Sequence, residues 1–305
     1  MSMTTLEAST LQGYITDEVF LALGLTPHGG LRPLFEPIFR SATRGFTALA
    51  VEFDTIVASH GFKAAAAWLV PRFTREVLVR HADQSCVSGP LLLASNHPGT
   101  IDSLVIAANL PRDDLKIIAS GIPFLRGLPN VARHLIYAPQ DPHGRMGAIR
   151  QAIRHLQAGG ALQLFASGGI DPDPAVMPGA FAALLNWSRS LEIFLRSVPS
   201  TQVVVTIASH VLEPRFLRSP LRFLRRARMD RQRIAEFLQV IRQMVAPGSV
   251  KLTPRLSFAE PVSYEKELAA GRVASVRQAI ISRAQSQLAE HLSWAASNSD
   301  PPGLA

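Results

Sequence analysis

The sequence contains little cysteine, little lysine and few charged residues of either sign. Its single cysteine, Cys86, cannot form an intramolecular disulfide, and no group of cysteines and histidines has the spacing of a zinc site. Charged residues make up 18% of the 305 residues and apolar residues 47%, a balance that excludes a disordered chain. We therefore expect a protein with a sizeable apolar core and no bound metal.

Long apolar runs are also missing. The best candidate, a largely apolar stretch without Asp, Glu, Lys or Arg, spans about residues 197–212, which is shorter than the roughly 18–20 residues of a membrane-spanning helix. The first residues, MSMTTLEAST, lack the basic and then apolar order of a signal peptide. These absences predict a cytoplasmic protein that is neither secreted nor embedded in a membrane.

Positive charge is concentrated in one segment. The chain has 27 arginines and 4 lysines, and residues 215–233 hold eight arginines and one aspartate, so this segment carries seven of the eight net charges. Such a basic segment indicates an anionic partner: nucleic acid, phospholipid headgroups or an acidic carrier protein. Nucleic acid is disfavoured, because no aromatic stacking platform or groove-reading motif accompanies the charge.

The same segment has the pattern of an amphipathic helix. Its leucines at 217, 221 and 224 share one helical face, and arginines follow on the adjacent face. This pattern favours a helix at the inner face of the membrane with its arginines on the headgroups, and a solvated basic face is the alternative. The predicted membrane or carrier surface comprises Arg215, Arg218, Arg222, Arg225 and Arg226.

The periodicity of apolar residues changes along the chain. Spacings of three and four residues predict a helical amino-terminal region over residues 1–85, whereas short β-rich runs alternate with helical stretches from residue 90. The predicted strands are 91–95, 115–119, 135–138, 161–166, 202–208 and 255–258, and the predicted helices are 101–110, 145–158, 178–195, 215–245 and 272–294. We therefore expect an α/β fold over residues 86–295, with a mixed, largely parallel sheet covered by helices, and a disordered tail at 296–305.

A histidine and an aspartate follow the first predicted strand. Ligands of such folds bind where parallel strands end, and His97 lies at that end of the strand. With Thr100 as the helix N-cap, Asp102 lies in the first helical turn and folds back towards His97. A carboxylate holding one imidazole nitrogen leaves the other as a proton acceptor, which predicts a general base. A histidine that only stabilises a loop is the alternative.

The motif and its context resemble the glycerolipid acyltransferase superfamily, which includes lysophosphatidic acid and glycerol-3-phosphate acyltransferases. Asn96-His97 followed by Asp102 is similar to the first block of that family. Three later segments match its further blocks in order and spacing, at residues 122–124, 159–169 and 197–208. The third block, with Asp171-Pro172 after it, is most similar to that of the soluble plastid glycerol-3-phosphate acyltransferases.

The resemblance implies acyl transfer without a covalent intermediate. His97, oriented by Asp102, would take the proton of an acceptor hydroxyl that attacks a fatty acyl thioester, either acyl-CoA or acyl carrier protein. The turn at Ser167, Gly168 and Gly169 would supply backbone N–H groups to the resulting oxyanion. Neither a bound cofactor nor a metal is implied, and the expected partners are a lipid acceptor, an anionic membrane surface and acyl carrier protein rather than nucleic acid.

Two departures from the family pattern concern the acceptor. Ile170 stands where the third block carries a phosphate-binding arginine, and Gln140 stands where the second block supplies a basic residue. His143 and Arg145 lie just downstream and are the candidate replacements. These departures leave the acceptor open and predict that glycerol 3-phosphate is used poorly.

Two other functions fit parts of the pattern. A serine hydrolase with His97 as base is disfavoured, because the sequence has no G-x-S-x-G motif around a nucleophilic serine. A membrane-bound adaptor derived from an acyltransferase would explain the missing arginines. Such an adaptor has no need of the His97 and Asp102 pair, so an enzyme is the favoured interpretation.

Overall fold

The computed structural model describes residues 5–30, 32–85, 88–139, 141–224, 226–269 and 275–298. The predictions for Cys86 and Gln140 therefore concern residues outside the described part of the chain. The α-helices are α1 Thr5–Leu23, α2 Arg32–Leu69, α3 Asp102–Asn109, α4 Pro123–Arg126, α5 Pro129–Ala132, α6 Pro142–Gln157, α7 Ala180–Leu184, α8 Ser190–Ser197, α9 Pro214–Leu217, α10 Arg228–Val245, α11 Glu265–Ala269 and α12 Val276–Ser297. The strands are β1 Leu78–Arg80, β2 Leu91–Ser95, β3 Lys116–Ala119, β4 Leu135–Tyr137, β5 Ala161–Phe165, β6 Gln202–Ser209, β7 Arg255–Phe258 and β8 Val262–Ser263.

The strands form one mixed, mostly parallel sheet, as the sequence predicts. Their order is β1-β7-β6-β2-β5-β3-β4, and β8 pairs with β6. β7 and β8 run antiparallel to β6, and the other pairs are parallel. β2 lies between β5 and β6 with all five residues buried. The carboxyl end of this central strand is therefore fixed on both sides.

Helices cover both faces of the sheet. Leu91 and Leu93 of β2 pack with residues of α2 and α3, whereas Leu92 packs on the opposite face with residues of α6, α8 and α12. Burying each leucine contributes about 1.5–3 kcal/mol, so both apolar layers stabilise the same strand. This double burial explains why the strand is apolar throughout rather than alternating.

The amino-terminal region is mostly helical, with one difference from the prediction. α2 bends at Gly61, whose φ of 84° is open to glycine because it has no Cβ. Within the region predicted to be helical, α2 ends at Leu69, and Pro71 lies in the short 3₁₀ helix Val70–Arg72 that follows. The next residues form β1, which pairs with β7 and extends the sheet. This edge strand lies within the region that the sequence pattern predicts to be helical.

The predicted helix over residues 178–195 is interrupted. It consists of α7 and α8, and the N-cap of α7 is Gly179 at a φ of 96°. Between the two helices, the Ser188 N–H donates to the Ala166 carbonyl at 2.6 Å, which ties the chain back to the end of β5. A hydrogen bond to the sheet replaces one that a continuous helix would make.

The carboxyl-terminal helix α12 ends at Ser297, so the first residues of the predicted tail at 296–305 are helical, and 299–305 are outside the described part. Within the described residues, none of the helices is both long and apolar enough to cross a membrane.

Candidate active site

His97 and Asp102 are in direct contact at the carboxyl end of β2. The Nδ1 of His97 lies 2.8 Å from Oδ2 of Asp102, and the Gly99 N–H donates to the same oxygen at 3.1 Å. Asp102 is fully buried as the first residue of α3, whereas 26% of the His97 side chain is exposed. The carboxylate thus fixes one imidazole nitrogen, and no described residue hydrogen-bonds to the other.

The loop that carries His97 is held by its neighbours in the sheet. The backbone N–H of His97 donates to Oδ2 of Asp171 at 3.0 Å, and the Asp171 N–H donates to the His97 carbonyl at 2.8 Å. The imidazole stacks on Phe165, the last residue of β5, with ring centroids 4.0 Å apart. On the other side, Asn96 makes two hydrogen bonds of 2.9 Å with the backbone of Ala208. These contacts restrict the imidazole to one position.

Thr100 does not cap α3, contrary to the prediction. The N-cap is Ile101, without a side-chain hydrogen bond. The Thr100 hydroxyl instead donates to Oε2 of Glu236 at 2.9 Å. A carboxylate is a stronger hydrogen-bond acceptor than a neutral group. Glu236 lies on α10, 136 residues further along the chain. The threonine therefore joins α10 to the loop that carries His97.

α10 contributes residues to the site that no sequence motif indicates. Gln232, which is fully buried, donates from Nε2 to the carbonyls of Pro98 and Asp171, both at 2.8 Å. Glu236 approaches the same loop one turn later, and its Oε1 has no hydrogen-bond partner among the described residues. The available signal was a polar stripe at 232, 236, 239 and 243, because this spacing places all four side chains on one helical face.

Carboxyl groups surround the imidazole and oppose the effect of its burial. Burial lowers the pKa of His97, but the charge and hydrogen bond of Asp102, with the charges of Glu236 and Asp171, outweigh it and raise the pKa above its usual value. Burial raises the pKa of Glu236 to about 7, although His97 and the Thr100 hydroxyl act in the opposite direction. The surroundings therefore favour an imidazolium, the form that a general base acquires during the reaction.

Asp173 clamps two loops together beneath the site. Its carboxylate accepts backbone N–H bonds from Ala175, His210, Val211 and Leu212 at 2.9–3.2 Å. Burial nevertheless raises its pKa to about 6. It has no contact with His97 in the described hydrogen bonds, so its place in the structure is that of a support for the strand ends.

The turn at Ser167, Gly168 and Gly169 follows Phe165 and lies beside His97. Gly168 has a φ of 72°, the positive value expected there. Its N–H donates to the Phe165 carbonyl at 3.0 Å, and the Gly169 N–H donates to the Ser167 hydroxyl at 3.3 Å. The N–H groups of Gly168 and Gly169 thus have acceptors that an oxyanion would have to replace, whereas no described hydrogen bond involves the Ser167 N–H.

The candidate phosphate-binding residues His143 and Arg145 make no contact with His97 among the described contacts. Both are exposed in the first turn of α6, which follows the edge strand β4. Two strands, β5 and β3, separate β2 from β4, so the strands are about 14 Å apart at a spacing of 4.7–4.9 Å. The cation beside Ile170 is instead Arg228, which donates to the Ile170 carbonyl at 3.1 Å and to Gln232 at 2.9 Å.

The predicted helix over residues 215–245 is broken. α9 ends at Leu217, a 3₁₀ helix spans Pro220–Leu224, and α10 begins at Arg228. Pro220 accounts for the break, since proline has no N–H and disfavours helical geometry at the residue before it. The three leucines of the predicted apolar face therefore do not share one continuous helix.

The predicted basic surface is only partly described. Arg218 and Arg226 are exposed, whereas Arg215 pairs with Glu213 at 2.8 Å. The Arg222 side chain and residue Arg225 are outside the described part. Phe223 in the same segment is 69% exposed and Leu221 is 40% exposed. Exposed arginines and exposed apolar side chains therefore lie close together along this segment of the chain, although the continuous helix is absent.

A second cluster of polar side chains lies between β6, β7 and α12. His291 is fully buried, and its two ring nitrogens contact the hydroxyls of Ser209 at 2.8 Å and Ser257 at 2.7 Å. Burial lowers the pKa of His291 to about 3, so it stays neutral. With both nitrogens occupied, this histidine has no free position for base catalysis.

No protein-family model matches the chain, and no curated protein matches it. Among solved structures, it is similar to the 1-acyl-sn-glycerophosphate (LPA) acyltransferase PlsC from Thermotoga maritima. The sequences are 17% identical, and the match covers 94% of this chain and 98% of that chain with a TM-score of 0.45.

Proposed function

We propose that the protein is an O-acyltransferase that moves a fatty acyl group from a thioester to the hydroxyl of a glycerolipid-type or other lipid acceptor. The observation that carries this proposal is the 2.8 Å contact between His97 Nδ1 and a fully buried Asp102 at the end of the central parallel strand. A carboxylate in this position sets the tautomer of the imidazole and stabilises the imidazolium. The order of the motifs described above supports acyl transfer as the reaction.

In the proposed reaction, Nε2 of His97 takes the proton of the acceptor hydroxyl while its oxygen attacks the thioester carbonyl. The carbon–sulfur bond then breaks, and the proton passes from the imidazolium to the leaving thiolate. Ester and thiol are the products. The donor is acyl-CoA or acyl carrier protein.

The surroundings of His97 favour direct transfer over a serine hydrolase. A covalent mechanism needs a hydroxyl nucleophile hydrogen-bonded to the base. Among the described residues, no Ser, Thr or Cys side chain makes such a bond to His97, and the Thr100 hydroxyl is bonded to Glu236.

An acyl-transfer assay tests the proposal. Purified protein is incubated with a radiolabelled acyl-CoA and a panel of lysolipids, glycerol 3-phosphate and neutral alcohols. We expect His97→Ala to abolish transfer, and Asp102→Asn to lower kcat by about 10²–10⁴-fold through the wrong tautomer. His60→Ala, which changes an exposed histidine on α2, is the matched control and should keep full activity. Full activity of a folded His97→Ala protein would refute the proposal that His97 is the general base.

Arg228 is our proposal for the residue that binds an anionic acceptor. It is the cation whose guanidinium contacts Ile170 and Gln232, and Gln232 in turn contacts the Pro98 carbonyl beside His97. We expect Arg228→Gln to raise the KM of a phosphate-bearing lysolipid about tenfold and to leave the KM of a neutral alcohol within about twofold, because a charged hydrogen bond contributes about 1.5–3 kcal/mol. Equal changes for both acceptors would contradict this role.

The exposed arginines and apolar residues of 215–226 support peripheral contact with an anionic membrane, where a lipid acceptor is found. Arg218 and Arg226 provide charge, and Phe223 and Leu221 provide apolar surface. Because the continuous helix is absent, we propose that the segment contacts headgroups through these separate side chains. An acidic carrier protein is the other anionic partner that this surface would accept.

A further inference from the structure

A cavity of about 660 Å³ lies between α2, the 3₁₀ helix Val70–Arg72 and the carboxyl end of α10. Its apolar lining includes Leu49, Phe73 and Met244. Its cationic lining residues are Arg72, Arg75 and Lys251, and none of its described lining residues is acidic. A pocket of this composition is suited to an anionic group attached to a partly apolar molecule.

The cavity opens at the same edge of the sheet as His97. β7 runs antiparallel to β6, and β1 runs parallel to β7, with Leu78, Arg255 and Ser209 in one register. The segments that precede β1 and β7, which include Arg75 and Lys251, therefore lie at the edge where β6 and β2 end. A bridge between Thr74 and Leu252 joins these two segments.

α10 connects the cavity to the active site. Its Glu236 accepts the Thr100 hydroxyl beside His97, and its Gln243 lines the cavity and donates to the Phe73 carbonyl at 2.7 Å. Seven residues separate the two side chains along the helix, a rise of about 10 Å at 1.5 Å per residue. The helix position that contacts the loop of His97 and the one that lines the cavity are thus about 10 Å apart along the helix axis.

Two cations of the cavity, Arg72 and Lys251, have no acidic partner among the described contacts. Arg72 lies 3.6 Å above the Trp68 ring and donates to the Trp68 carbonyl at 2.6 Å. Lys251 is exposed and has no hydrogen bond or ion pair in the described part of the chain. An arriving anion therefore meets positive charge that neighbouring carboxylates do not neutralise.

We infer that this cavity binds the phosphate of the phosphopantetheine arm, the group shared by CoA and acyl carrier protein; this rests on the proposed function. About thirteen bonds separate the sulfur from that phosphorus, a reach of about 15 Å at roughly 1.2 Å per bond. In a glycerol phosphate, about four bonds separate the neighbouring hydroxyl from the phosphorus, a reach of only about 5 Å. A separation of about 10 Å thus suits the donor and exceeds the reach of the acceptor.

Binding of pantetheine and 4′-phosphopantetheine by isothermal titration calorimetry tests the inference. We expect the parent protein to bind the phosphorylated compound at least tenfold more tightly, and Lys251→Gln and Arg72→Gln to reduce this preference below about threefold. Arg150→Gln removes an exposed arginine from α6 and is the matched control, which should keep the parent's preference. The same affinity of the parent for both compounds would overturn the inference.

Kinetics distinguish this site from a purely structural role. Arg72 and Lys251 also lie near the carboxyl end of α10, where cations offset the helix dipole. If Arg72 and Lys251 bind the donor, Arg72→Gln and Lys251→Gln should each raise the KM of the donor about tenfold. The kcat and the KM of the acceptor should stay within about twofold, and the melting temperature should be unchanged. A KM increase for acyl-CoA, acyl carrier protein or both supports the site and identifies the donor. An unchanged KM for both donors refutes it.

The same experiments separate the two proposals. If the protein binds phosphopantetheine with the expected preference but transfers no acyl group to any acceptor, the cavity assignment stands and the proposed function fails. If transfer depends on His97 while Lys251→Gln and Arg72→Gln keep the parent's donor KM, the function stands and the cavity assignment fails.

Discussion

Three carboxyl groups act on the imidazole of His97, and they do so at different distances. Asp102 contacts Nδ1 directly, Asp171 accepts the backbone N–H of His97, and Glu236 acts through space while it holds Thr100. Their combined charge raises the pKa of His97 although burial lowers it. A raised pKa stabilises the imidazolium, so the loss of any one carboxylate should lower that pKa.

Replacing Glu236 by Gln should shift the pH dependence of the reaction. His97 accepts a proton only when it is neutral, so kcat/KM rises with pH as His97 loses its proton. Because the Glu236 carboxylate raises the pKa of His97, we expect Glu236→Gln to move this acidic limb to lower pH. The measurement is kcat/KM with a soluble thioester between about pH 5 and 9.

The control for Glu236→Gln is Glu290→Gln, which changes an exposed glutamate on α12 and should leave the profile unmoved. Glutamine keeps an acceptor for the Thr100 hydroxyl, so the loop contact is retained. An acidic limb at the parent's position in Glu236→Gln would show that this carboxylate does not act on the catalytic histidine.

At the scale of elements, α10 joins the loops at the carboxyl edge of the sheet. The buried polar side chains of α10 donate hydrogen bonds to four backbone segments. Gln232 contacts the loops after β2 and β5, Gln239 contacts the loop after β6, and Gln243 contacts the residues before β1. Each of these contacts satisfies a buried carbonyl that has no partner in the sheet. The stripe thus fixes the loops that carry the candidate site.

Gln232→Ala should destabilise the protein more than an average substitution. It removes the donors to the Pro98 and Asp171 carbonyls, and each buried group left without a partner costs about 1–3 kcal/mol. We expect a loss of about 2–4 kcal/mol in the free energy of unfolding, measured by urea denaturation. The matched control Gln151→Ala, at an exposed position of α6, should cost no more than about 0.5 kcal/mol. A cost as small as the control's would show that the two carbonyls do not depend on Gln232.

The sequence predicts the strands better than it predicts α10 and its role. Runs such as LLLAS of β2 are apolar because both faces are buried, and this pattern is local. The stripe of Gln232, Glu236 and Gln243 reads as a solvated face, because its partners are up to 170 residues away along the chain. The helix break, in contrast, was predictable from Pro220, whose effect on the backbone is local.

At the scale of the whole molecule, the order of the strands in the sheet determines where the cationic side chains lie relative to His97. His143 and Arg145 follow β4 at one end of the sheet, whereas Arg72 and Lys251 precede strands at the other end. The position of His97 beside Asp102 was predictable because both lie within one strand-to-helix turn. Which cations face the site depends on strand order, and that order is set by long-range pairing that no short motif encodes.

The charge of the molecule should determine how it binds a membrane. Residues 215–233 carry seven of the eight net charges, and Arg218 and Arg226 are exposed next to Phe223, of which 69% is exposed. Each basic residue at an anionic surface contributes about 1 kcal/mol. We expect Arg218→Glu with Arg226→Glu to weaken binding to phosphatidylglycerol vesicles by at least about 30-fold, measured by sedimentation at low ionic strength.

Salt and a matched variant separate this electrostatic contact from general adhesion. Binding of the parent should fall as salt rises, because the Debye length shortens from about 30 Å at 0.01 M to about 8 Å at 0.15 M. Arg150→Glu with Arg154→Glu makes the same change of charge on α6 and should retain most of the binding. Since neither arginine pair contacts His97, both variants should keep the parent's turnover of a short-chain soluble thioester. Transfer to acceptors in a bilayer should drop only in the variant of Arg218 and Arg226. Unchanged sedimentation of the Arg218 and Arg226 variant would instead assign this surface to solvent or to an acidic carrier protein.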